Sequence, residues 1–258
     1  MLVKRRKLVN ASAADARVER PRWLYGINAV ARRLAVRPSS IRDLHVLRGH
    51  STRRAQLATS AAKAGIAVHE SDAGTLTRLT GVDTHQGVAA LADAYAYADL
   101  AAVLGDNAGP VLVLDQLQDP HNLGALIRTA AAVGMAAVVI PRHGAAGVSP
   151  AVEKVAAGAV NDVPICQAAN LHRCLIDLRA RGYWSIALAP RGEQNLFTMD
   201  LPERPVLVLG GETGLRPLVQ QTCDFHARIP LRGGVESLNA SVAGAVAMYE
   251  VARRLQTT

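Results

Sequence analysis

Three short polar segments beyond residue 118 carry side chains whose types and spacing suit chemistry. The first is Asp119-Pro120-His121-Asn122 with Arg128-Thr129-Ala130 a little further on. The second is Leu209-Gly210-Gly211-Glu212. The third runs from Ile229-Pro230-Leu231 to Ser237-Leu238-Asn239-Ala240-Ser241. Pro120 stiffens its turn, Asn122 offers an N-cap oxygen and an amide, and the planar fork of Arg128 suits a phosphate clamp. Gly210 and Gly211 let the backbone approach a ligand, and Glu212 can accept hydrogen bonds from a ribose or an amine. Ser237, Asn239 and Ser241 bring hydroxyls and an amide to the start of a last helix. Taken singly, these features read as a helix cap, a surface charge and an ordinary turn. Each segment, however, is expected to follow an apolar strand, and ligands of parallel α/β sheets sit beyond the carboxyl ends of strands. The three loops should therefore converge on one site.

The elements that would position them follow from hydrophobic patterning. Continuous apolar runs at 111–114, 137–140, 184–188 and 206–209 predict strands of a parallel sheet covered on both faces. A final helix over 238–255 places Val242, Ala245, Val246, Tyr249 and Ala252 on one stripe, suited to packing on the sheet or on a second subunit. Upstream, helices over 26–36 and 53–64 alternate with strands at 41–47, 66–69 and 87–91, the pattern of a small α/β domain. The expected organisation is a flexible basic tail at 1–21, a small domain at 22–91, a linker at 92–109 and a parallel-sheet domain at 110–258.

Charge separates these parts. Residues 1–60 hold fourteen Lys and Arg against Asp15, Glu19 and Asp43, while the whole chain carries a net charge of +8, so the remainder is acidic. Clustered Lys and Arg gain affinity for polyanions by releasing counterions, which makes nucleic acid the leading partner and a solubilising basic face the plainer reading. Nine aromatic residues are too few for extensive base stacking. Cys166, Cys174 and Cys223 form no C-x-x-C pair, so they read as core residues in a reducing compartment, and no metal is expected. Lys4-Arg5-Arg6-Lys7 is not followed by the apolar run of a signal peptide or membrane span, and the expected location is the cytoplasm, with no membrane contact.

The order Asp-Pro-x-Asn-x-Gly-x-x-x-Arg-Thr-Ala, then Leu-Gly-Gly-Glu-x-Gly-Leu, then Ile-Pro-Leu with Ser-Leu-Asn-x-Ser resembles the SpoU branch of the SPOUT RNA methyltransferases. Tyr25-Gly26-Ile27-Asn28-Ala29-Val30 and His85-Gln86-Gly87-Val88-Ala89-Ala90 resemble the two ends of the substrate-binding domain in its bacterial rRNA guanosine 2′-O-methyltransferases. The resemblance implies a SPOUT domain with a carboxy-terminal trefoil knot, an exception to the general absence of knots. It implies a ribosomal-protein-like RNA-binding domain before it, and a homodimer whose partner completes each site. S-adenosyl-L-methionine would be the methyl donor, held around Leu209, Gly210, Gly211, Ile229, Leu231 and Leu238. Asn122, Arg128, Glu212, Ser237 and Asn239 would form the catalytic and substrate-contacting set. Arg128 would be the base, although a guanidinium pKa above about 12 leaves a phosphate clamp as the competing role. Two departures stand out: the Glu212-Thr213-Gly214 loop is one residue short, and Ala240 replaces the more usual Val.

The implied substrate is a guanosine ribose of large-subunit (23S) rRNA. Ribose methylation of tRNA and a non-catalytic ribosome-assembly role are the alternatives. A nucleotide-dependent dehydrogenase fits the parallel sheet but lacks a G-x-G-x-x-G turn after its first strand.

Overall fold

The computed structural model describes residues 20–105 and 109–255. Most of the expected basic tail, residues 1–19, lies outside the described residues, as do 106–108 in the expected linker.

The first part builds a four-stranded sheet in the order β1-β4-β2-β3. Its strands are β1 (Arg22–Tyr25), β2 (Ile41–Leu47), β3 (Ala67–Ser71) and β4 (Val88–Ala92). β4 runs antiparallel to both β1 and β2, and β2 runs parallel to β3. Helices α1 (Ile27–Val36), α2 (Thr52–Lys63) and α3 (Ala73–Thr80) connect them. Ser51 caps α2 and Asp72 caps α3 by accepting backbone N–H groups three residues on, the preferred chemistry for a helix start. Leu24, Val30, Leu44, Val46 and Leu57 form the core between this sheet and α1 and α2.

Beyond the crossing segment, which holds the short α4 (Leu100–Val103), lies a seven-stranded sheet with every pair parallel. The strands are β5 (Val111–Asp115), β6 (Ala137–Pro141), β7 (Ile165–Ala168), β8 (Trp184–Leu188), β9 (Gln194–Asn195), β10 (Pro205–Gly210) and β11 (Phe225–Arg228). Their order is β7-β6-β5-β10-β8-β11-β9. Its helices are α5 (Pro120–Val133), α6 (Pro150–Val155), α7 (Leu171–Arg179), α8 (Pro217–Thr222) and α9 (Ala240–Leu255). Successive residues of a strand face opposite ways, so each central strand feeds two cores. Leu112, Leu114, Leu207 and Leu209 join α5 and α9, whereas Val111, Val113, Val206 and Val208 join α7 and α8. Both faces are therefore covered, and the strand interiors are apolar throughout.

All seven expected strands lie within a residue or two of those observed, while β1, β7, β9, β11 and α3 were not anticipated. Of the two surfaces expected for the stripe on the last helix, the sheet is not the one it meets: α9 buries Gly244, Ala247, Met248 and Val251, while Ala245, Val246 and Ala252 are half-buried and Val242 and Tyr249 are 49% and 59% exposed.

The two sheets are joined through charged and aromatic contacts. Arg33 on α1 is 2% exposed and donates from Nη2 to both carboxylate oxygens of Glu153 on α6, at 2.9 and 3.0 Å. Lys154 Nζ sits 5.6 Å above the Tyr25 ring, and Arg32 pairs with Asp162. Ala98 pairs with Cys166, and the Tyr97 hydroxyl accepts the Val148 N–H at 2.9 Å.

Candidate active site

The carboxyl ends of β5 and β10 are adjacent, with Gly210 opposite Asp115. The Asp115 carboxylate is fully buried. Arg216 answers it with its backbone N–H at 2.9 Å, Nε at 2.9 Å and Nη2 at 2.8 Å. The Gly211 N–H donates to the Asp115 carbonyl at 2.9 Å, and the Thr213 hydroxyl donates to the Gln116 amide oxygen at 3.1 Å. These bonds draw the second loop onto the first. A Cβ on Gly211 would lie 2.5 Å from the Gln116 carbonyl oxygen, and one on Gly210 would lie 2.1 Å from the Gly214 carbonyl carbon. Only glycine tolerates such backbone-on-backbone approach.

The third segment arrives across β8. Leu209 and Ala227 lie on either side of Leu188, and Ile229, two residues past Ala227, packs against the core that holds Leu209. α9 then crosses α5 and β10 so closely that a Cβ on Gly244 would lie 2.2 Å from Leu126 Cδ2 and 2.7 Å from Leu209 Cδ2. Leu231 and Leu238 are half-buried along this path. Asn239 caps α9, its Oδ1 accepting the Ser241 N–H at 2.9 Å and the Ser241 hydroxyl at 2.6 Å.

The first loop differs from expectation. Asp119, not Asn122, is the N-cap of α5: its carboxylate accepts the N–H groups of His121 and Asn122. A carboxylate there also suits the positive end of the helix dipole. Asn122 is buried in the first turn, whereas Arg128 is exposed. Six positions separate them, or roughly 120° around the helix, so one chain does not present both on one face. Arg128, Glu212 and Ser237 are exposed and have no hydrogen-bond or ion-pair partner among the described residues. The fold thus places Leu209, Gly210, Gly211 and Ile229 at or just beyond the strand ends, has Leu231 and Leu238 half-buried further along the third segment, and leaves Arg128 on another face of α5 from Asn122.

Sequence reasoning passed over Asp115, Gln116, Arg216 and Gly192. Asp115 ends an apolar strand beside a polar loop, which was a usable signal. Gln116 takes φ 54°, a left-handed conformation that nothing in its type announces. Burial pushes the Cys166 thiol up to about 11 and those of Cys174 and Cys223 up to about 12, so none supplies a thiolate near neutral pH.

The SpoU rRNA Methylase family matches residues 109–249 of this chain. The chain belongs to the SpoU family. A second match, RNA 2'-O ribose methyltransferase substrate binding, covers residues 23–98, the region of the four-stranded sheet. Over 239 residues the chain is 40% identical to the 23S rRNA (guanosine-2'-O-)-methyltransferase RlmB of Xanthomonas axonopodis pv. citri, spanning 90% of this chain and 96% of that one. The AdoMet-bound rRNA methyltransferase of Sinorhizobium meliloti superposes with TM-score 0.73 at 26% identity, covering 92% of this SpoU chain and 88% of the other. The SpoU methyltransferase AviRb of Streptomyces viridochromogenes shares the fold, with TM-score 0.75 at 22% identity over 91% of this chain and 90% of its own. Among the described residues, no helix is long and apolar enough to cross a membrane.

Proposed function

We propose that this SpoU protein is an S-adenosyl-L-methionine-dependent methyltransferase acting on the ribose 2′-hydroxyl of a guanosine in large-subunit (23S) rRNA. The observation that carries the reading is the 40% identity to a protein of that name, sustained through both the substrate-binding and the methylase segments.

The residues at the strand ends suit the cofactor. Gly210 and Gly211 let the 210–214 turn close tightly on the β5 loop at the strand ends, and half-buried Ile229, Leu231 and Leu238 offer apolar cover for an adenine ring beside Leu209. When bound, the cofactor supplies an electrophilic methyl group. The protein's own tasks are to orient the ribose oxygen and to remove its proton. Arg128, without a carboxylate partner among the described residues, engages the ribose hydroxyl and the adjoining phosphate. Its proton moves toward that phosphate as the hydroxyl proton is taken. Asn122 and Asn239 hold the backbone of the first and third loops, and Glu212 and Ser237 contact the substrate.

The finer organisation belongs to the same proposal. Residues 22–91 form a ribosomal-protein-like RNA-binding domain, 92–109 a linker and 110–258 a SPOUT domain with a trefoil knot. Support for the knot is the backbone contact of the 210–214 turn with the β5 loop and of Gly192 with Ala227. The protein works as a cytoplasmic homodimer. The outward apolar stripe of α9, from Val242 to Tyr249, is the face a second copy would cover, and the partner then supplies the group that Arg128 lacks within its own site.

Purified protein incubated with methyl-labelled S-adenosyl-L-methionine and unmodified rRNA or tRNA tests the reading, with mass spectrometry of the digested nucleosides. Label in 2′-O-methylguanosine from rRNA alone is expected. Label from tRNA would move the substrate, and no label from either would contradict the activity.

A further inference from the structure

The four-stranded sheet brings together three metal-ligating side chains that no spacing motif announces. Asp43 and His45 are two apart on β2 and so share a face, and the β2–β3 register sets His69 directly beside His45. Their neighbours Leu44 and Val46 enter the core with α1 and α2, which puts the cluster on the opposite face. The two imidazoles stack with centroids 4.7 Å apart, and Trp23 meets His45 edge-on at 5.4 Å.

The polar atoms lie close without satisfying one another. His69 Nε2 is 2.8 Å from Asp43 Oδ1, yet that oxygen is inaccessible to solvent and accepts no hydrogen bond, so the contact is out of line. His45 Nε2 lies 3.5 Å from Asp43 Oδ2. The other ring nitrogen of His45, Nδ1, is engaged by the nearly buried Ser71 hydroxyl at 2.9 Å. Such an outer hydrogen bond fixes the ring and its tautomer in metal-binding histidines. One ligand atom from each of the three side chains falls within 4.8 Å of the others. Tetrahedral zinc, with ligands at about 2.0–2.1 Å, separates its ligand atoms by about 3.3 Å. The three side chains therefore have to draw together by up to about 1.5 Å, within the reach of side-chain rotation, to accommodate an ion.

We infer that Asp43, His45 and His69 form a zinc-binding site on the outer face of the four-stranded sheet. Two imidazoles and a carboxylate suit zinc among the common divalent ions, and they leave a fourth position for water on the side of His69, which is 49% exposed. The ion would neutralise the orphaned Asp43 oxygen and add a further link between β2 and β3 beside the His45–Ser71 hydrogen bond.

Calorimetric titration of the metal-stripped, tag-free full chain with zinc chloride tests the inference. One equivalent per chain is expected, weakened more than about a hundredfold in His69→Ala and roughly tenfold in Ser71→Ala, which removes only the outer hydrogen bond. His50→Ala, at an exposed histidine outside the cluster, should bind as the wild type does. Cobalt loading of His69→Cys gives a readout that does not depend on how well the alanine variant folds: a sulfur-to-cobalt charge-transfer band absent from the cobalt-loaded wild type. Absence of stoichiometric zinc binding, wild-type affinity in His69→Ala, or no such band in His69→Cys would each overturn the site.

Discussion

The contact between the sheets and the outer face of α5 use arginine in opposite ways. Arg33 is enclosed and meets Glu153 at 2.9 and 3.0 Å, whereas Arg128 stands exposed with no partner among the described residues. Asp115 and Arg216 resemble the first case: a buried carboxylate answered by three donors of one residue. Charges that build the frame thus meet an opposite charge inside the chain. Arg128, Glu212 and Ser237, on the segments that the SpoU reading assigns to substrate, are left unanswered among the described residues. The difference teaches where to separate stability from activity.

The largest expected effect breaks the frame. Arg33→Ala leaves Glu153 buried without its donors and should cost about 3–5 kcal/mol in denaturant unfolding. Arg128→Ala should leave unfolding within about 0.5 kcal/mol of wild type. A comparable stability loss in both would erase the distinction between the two arginines. Gly244→Val adds bulk where even a Cβ would lie 2.2 Å from Leu126, and overpacking there should cost about 1–3 kcal/mol. Asn239→Ala removes the α9 cap and should lower stability by about 1 kcal/mol, read from the same unfolding curves.

The smallest expected effect concerns pH. Burial outweighs the pull of Arg33 and holds the Glu153 carboxyl above the usual glutamate range. The folded state then binds that proton more tightly than the unfolded chain. The contribution is full below the ordinary glutamate pKa and is lost as pH rises through the higher folded value. Unfolding midpoints of the wild type should fall relative to those of Glu153→Gln across that window, and parallel profiles would contradict the assignment.

Much of the frame was legible in the residues. The cores of β5, β6 and β10 are runs of Val, Leu and Ile long enough to declare buried strands, β2 shows a half-buried strand with Leu44 and Val46 turned inward, and the polar loops after β5 and β10 follow from where those strands stop. β11 was not legible because Phe-His-Ala-Arg carries half its residues polar, and β9 is only two residues long. Which face of α9 meets the sheet was not legible for a physical reason. Both faces carry apolar residues, and the inward one, with Met248 and Val251, includes Gly244, where the side chains of Leu126 and Leu209 leave no room for a Cβ. Apolar periodicity counts side chains and not the distance to the neighbouring elements. Asp115 with Arg216, and Asp43 with His45 and His69, depend on strand pairing between distant residues, which one sequence does not display.

The central claim is that the unanswered groups of the loop segments are the reactive ones. Single-turnover methyl transfer by Arg128→Ala at saturating large-subunit rRNA tests it most directly, with folding checked by its unfolding curve. The account predicts a rate lower by about 10²–10⁴-fold in a protein of wild-type stability. A wild-type rate with weakened RNA affinity alone would contradict it and leave Arg128 as a phosphate clamp.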